Sequence, residues 1–170
     1  MKWFRVALEM IGGASLLAVV CFGSWYLYSN FSEKVNKASR KDAVFILNVG
    51  GLSPDQDYRI TSSYESSRSF TGDHLDYYCI ELPKFEVAEW AKDQWHSGPE
   101  TDSLLADALE LAVNDARQHG GCIPSAQEAN SAGMKIMFWQ VVLHDRQPTA
   151  ADIILYDSQK QKLYYVSFKT

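Results

Sequence analysis

Two acid–base pairs and one metal-type triplet are the groups in this chain whose types and spacing could do chemistry. Asp73-His74 and His144-Asp145 each set an imidazole beside a carboxylate, the pairing used for a general base and its orienting partner in nucleophilic catalysis. His74, His144 and Asp145 are therefore the catalytic candidates. Against them, sequence neighbours on a strand point to opposite faces, no Gly-x-Ser-x-Gly elbow occurs, and no serine is singled out as a nucleophile. Polar residues at strand-end turns account for the same pattern without catalysis.

Asp115 and His119 stand four apart, with Cys122 three further on, so a metal could collect all three. Each has a competing use. His119 suits the negative end of a helix, Cys122 is wanted by Cys79, and a zinc site needs further ligands that the spacing does not supply. The reading is no metal and no cofactor. Glu81, Glu86 and Glu89 illustrate how abundant carboxylates are; the separation that defines a glycosidase pair is not legible in sequence.

The elements that must position these groups begin with an apolar run, Ile11 to Tyr28, eighteen residues without a charge. As a helix it is long enough to cross most of a ~30 Å hydrocarbon core. Lys2 and Arg5 precede it, Trp3, Phe4, Trp25, Tyr26, Tyr28 and Phe31 flank it as interface aromatics, and no Ala-x-Ala site closes it. Residues 1–28 are read as a tail and uncleaved signal anchor, and residues 29–42 as a basic polar linker. Counting Lys and Arg slightly favours the opposite orientation, because Lys34, Lys37, Arg40 and Lys41 follow the span. Cys79 and Cys122 favour an oxidising compartment, where they pair as a disulfide; the alternative is two separate buried thiols.

Residues 43–170 are read as one α+β domain, a mainly antiparallel sheet of about five or six strands with one long amphipathic helix packed on it. Ala43–Val49 is expected to be a central strand buried on both faces, Leu75–Leu82 a strand stopped by Pro83, and Phe85–Trp95 a short helix. Leu105, Ala108, Leu109, Ala112, Val113 and Ala116 follow helical spacing up to Gly120-Gly121. Strands are predicted at 135–143, 153–156 and 163–168, the last two flanking a hairpin turn at Asp157–Gln161.

Nineteen of the 21 acidic and ten of the 16 basic side chains lie beyond Lys41, leaving the domain at about −9. That charge repels phosphate and argues against nucleic acid. A basic protein surface is the partner it suits. Tyr78, Trp90 and Trp95 with Asp102, Asp107 and Glu110 are the candidate recognition residues, because aromatics carry much of the energy at binding hot spots. The reading is a single-pass inner-membrane protein whose acidic domain stands in the periplasm or outside the cell. It binds a protein without catalysis, as an inhibitor or immunity protein neutralising a toxic enzyme. The alternatives are a small extracytoplasmic hydrolase and an accessory subunit of an envelope or secretion machine.

Overall fold

The computed structural model describes the backbone of residues 2–170; side chains are described at Trp3, at 12–28, and from Ser32 onward. The chain divides into two compact units, Met1–Ser32 and Glu33–Thr170.

The first unit is one helix, α1 (Lys2–Phe31). From 12 to 28 its side chains are exposed, among them Leu16, Leu17, Val19, Phe22 and Trp25. Ile11, which opens the predicted span, lies outside the described side chains. Among the described residues no helix is long and apolar enough to cross a membrane. The transmembrane helix expected from sequence over Ile11–Tyr28 is therefore not supported among the described residues.

In the second unit, β1 (Lys34–Val35) and α2 (Arg40–Val49) come first, so the residues expected to be linker contain the end of α1, a short strand and the start of a helix. Ala43–Val49 is part of α2, not a strand. Ala43, Ile46 and Leu47 recur at i, i+3 and i+4 and are buried, whereas Phe45 and Asn48 are exposed. Asp42 accepts from the Ser39 backbone N–H at 2.6 Å, one half of a capping box that starts the helix. Next come β2 (Arg59–Glu65), β3 (His74–Glu81), a 3-10 helix (Glu89–Gln94), β4 (His96–Ser97) and α3 (Ser103–His119). The short α4 (Ala126–Ala129) leads to β5 (Met134–His144), β6 (Gln147–Asp157) and β7 (Lys162–Lys169).

All seven strands join one antiparallel sheet in the order β1-β2-β3-β7-β6-β5-β4. The last strand of the chain is thus the middle of the sheet, and residues 163–168 are all buried. Alternation along β7 sorts it into two cores. Tyr164, Val166 and Phe168 face α3, with Ala108, Leu109, Ala112 and Val113; Leu163 and Tyr165 face α2, with Ile46 and Leu47. Both faces are covered, where the sequence had suggested one.

Two local devices hold α3. Asp102 caps its start, accepting from Leu104 N–H at 2.8 Å. At its end the Tyr77 hydroxyl donates to His119 O at 2.9 Å and passes so close to Gly120 that an added Cβ would lie 1.8 Å from the phenol oxygen. The disulfide Cys79–Cys122 ties β3 to the connection after α3.

Candidate functional site

Four ladders carry a polar row across the α2 side of the sheet. Glu65 opposes Asp76, Asp76 opposes Ser167, Ser167 opposes Asp152, and Asp152 opposes Gln140. Directly opposed residues have Cβ atoms about 4.5–5.5 Å apart. The neighbouring row sends two phenols back to it: Tyr78 donates to Glu65 and Tyr165 to Asp152, each at 2.8 Å. Lys34 pairs with Glu65 at 2.9 Å, and Arg68, from the β2–β3 connection, pairs with Asp76. Asp76 is only 7% exposed, and its Oδ1 has no partner among the described residues. Burial pushes its carboxyl above the usual range, and the Arg68 guanidinium pulls the other way.

His74 completes the cluster. Its Nδ1 lies 2.9 Å from Gly72 O and its Nε2 3.0 Å from Ser167 Oγ. A carbonyl only accepts, so the geometry assigns the proton of the neutral ring to Nδ1 and leaves Nε2 to accept from the Ser167 hydroxyl. Hydroxyl, base and orienting carbonyl are the elements of a nucleophilic pair. Their surroundings oppose that use. Ser167 is 6% exposed and sits between two carboxylates. At about 5 Å and an effective dielectric near 20, each charged neighbour disfavours a developing oxyanion by about 3 kcal/mol. That is roughly what one oxyanion donor contributes in a working hydrolase.

The sequence candidates scatter. His74 joins Ser167, but His144 and Asp145 lie at the β5–β6 turn, exposed and 3.5 Å from each other. Two strands, β7 and β6, separate β3 from β5, which puts His74 about 14 Å from the strand that carries His144. Asp115, His119 and Cys122 do not gather either. Cys122 is in the disulfide, His119 stacks on Tyr64 with centroids 4.6 Å apart, and its Nδ1 bonds Asp115 O. Among the described residues no three groups are placed to hold a metal ion.

The binding candidates divide between the two faces. Tyr78 is buried in the α2-side core. Trp95 donates from Nε1 to Gly50 O at 2.8 Å and meets Phe85 edge-on, while Trp90 is exposed beside Gly51. Asp102 caps α3 and Asp107 and Glu110 lie on it, on the other side. Asp107 and Glu110 line a cleft of about 450 Å³ with Leu111, Asn114, Arg146 and Pro148, between α3 and the β5–β6 turn. Leu111 and the hairpin residues Trp139, Val142 and Leu143 are exposed. Sequence reasoning missed Ser167, Asp152 and the hairpin; Ser167 is a lone hydroxyl between Val166 and Phe168 on a buried strand, and only register gives it a partner.

No protein-family model, curated protein or solved structure matches the chain.

Proposed function

We propose that the chain is a membrane-anchored, non-catalytic extracytoplasmic protein-binding domain of the inhibitor or immunity type, which captures a basic surface of a toxic enzyme. The observation that carries the binding reading is the flank formed by α3 and the β5–β6 hairpin. There Asp107 and Glu110 stand beside the exposed Leu111 along a cleft closed by Arg146, Gln147 and Pro148. Two acidic side chains beside exposed apolar area suit a complementary partner. The Cys79–Cys122 disulfide supports an oxidising compartment. The anchor rests on the sequence alone, on the apolar run Ile11–Tyr28 and its flanking aromatic residues.

The test is affinity capture with the full chain in nonionic detergent, followed by cross-linking. A stoichiometric basic partner whose cross-links fall on 107–114 and 139–148, and whose enzymatic activity drops on binding, supports the reading. Cross-links confined to other surfaces, or a partner whose activity is unchanged, would sink it. Protease treatment of intact cells and of inverted vesicles checks orientation.

A second reading, a small hydrolase, is favoured by one observation, the Ser167–His74 hydrogen bond. Labelling with a fluorophosphonate decides between them: the binding reading expects no adduct on Ser167, and an adduct abolished by His74→Ala would establish the hydrolase.

A further inference from the structure

The edge of β5 is open for most of its length. β4 covers only its start, pairing His96 with Ile136 and Ser97 with Lys135. Among the described residues, no strand pairs with 138–144 on that side. The segment Phe138-Trp-Gln-Val-Val-Leu-His144 has no lysine, carboxylate or proline, the devices that usually blunt an edge. Its register shifts, at Phe138/Gln140 and Val142/Leu143, are the only protection it carries. Phe138 and Val141 pack into the α3-side core, so a strand laid along this edge would turn alternate side chains toward the α3 side of the sheet.

We infer that this edge is where the partner docks: an extended segment with alternating basic and apolar residues adds to the sheet as an eighth strand beside β5. The inference rests on the protein-binding reading above and names the surface and partner chemistry for it. Backbone hydrogen bonds to 138–144 supply the pairing, and Asp107 and Glu110 select the basic side chains. Arg146 is the one cation in the cleft lining. Charge also decides the occupant. A second copy would bring another domain of about −9 and its own α3 acids against the same flank, whereas a basic segment is complementary. The two register shifts likewise suit a short segment better than a long ladder of β5 against β5.

The experiment uses the full chain in nonionic detergent with the peptide Lys-Val-Lys-Val-Lys-Val-Lys as probe, and Glu-Val-Glu-Val-Glu-Val-Glu as its opposite. Fluorescence polarisation is expected to show binding of the basic peptide alone, weakened by salt. The double variant Asp107→Asn/Glu110→Gln should weaken it about tenfold, and hydrogen exchange should show new protection at 138–144. N-methylating alternate amides of the probe, which keeps its charge, should remove binding. Equal binding of the N-methylated probe, or protection elsewhere with 138–144 exchanging as in the free chain, overturns strand addition. If that result comes with continued dependence on Asp107 and Glu110, the acidic-face reading survives. A dimer by light scattering that Val141→Lys dissolves would assign the edge to a second copy instead. Absence of basic-peptide binding, together with partner cross-links away from this flank, would overturn both.

Discussion

His74 Nε2 accepts from Ser167 Oγ at 3.0 Å across the β3–β7 ladder, although the two residues are 93 apart in sequence. The hydroxyl belongs to the middle strand, the imidazole to a row nearer the sheet's end, and two carboxylates flank the pair. On the binding reading this pair is structural. Ser167→Ala and His74→Ala should each lower stability by about 1 kcal/mol, the net value of a hydrogen bond, and leave partner affinity within twofold. Urea denaturation and a binding titration check both; a loss of function with unchanged stability would point to chemistry instead.

Asp76 makes stability depend on pH in an unusual sense for a carboxylate. Its folded pKa lies above its unfolded value, so between the two the folded state holds the extra proton. Stability contributed by this group therefore rises as pH falls through the folded pKa toward about 4, and is lost above it. Asp76→Asn should flatten that part of the curve of Tm against pH. An unchanged curve would mean that Arg68 fully compensates the buried charge.

The disulfide closes a loop with a sequence separation of 43 residues. On the chain-entropy model this constrains the unfolded state by about 4 kcal/mol. Cys79→Ala/Cys122→Ala should thus lower unfolding free energy by about 2–4 kcal/mol. A reducing agent should reproduce the effect in the native chain and add nothing to the variant, which chemical denaturation with and without reductant would measure.

Gly120 has an extended backbone, φ −171°, so conformation alone would admit any residue there. Close approach does not: a Cβ would sit 1.8 Å from the Tyr77 oxygen. Gly120→Ala should cost about 1–3 kcal/mol by displacing the phenol from His119 O, the range typical of overpacking. Tyr77→Phe/Gly120→Ala should recover part of that loss, and a thermal shift series on the two variants tests it.

Asp145 and Arg146 both take positive φ, 50° and 64°, in the two-residue turn between β5 and β6. A turn of this kind favours Asp-Gly, and a left-handed non-glycine residue costs about 1–2 kcal/mol. Arg146→Gly should therefore raise stability by up to about 1 kcal/mol, offset by the added freedom of glycine when unfolded. Denaturant midpoints read the sign.

Much of the fold could be read from local pattern because local pattern is what builds it. Leu75–Leu82 alternates cleanly and is β3; the apolar spacing from Leu105 to Ala116 between Asp102 and Gly120 is α3; 153–156 and 163–168 lie inside the hairpin of β6 and β7. Ala43–Val49 has the pattern of a strand only apart from Ser39 and Asp42, whose capping box lies within the expected linker. Periodicity over seven residues does not separate a buried strand from a short helix, and the cap does.

By itself the sequence determined the kinds of element, the acidic charge of the domain, the pair of cysteines available to bridge, and the apolar run at the N-terminal end. Each depends on neighbours within a few residues or on composition. Only the tertiary structure decided that β7 is the central strand, that His74 meets Ser167 and not His144, and that Tyr78 lies on the opposite side of the sheet from Asp107. Those outcomes follow from strand order and register. Register is set by the burial of whole faces at once, so no single residue announces which partner it will oppose.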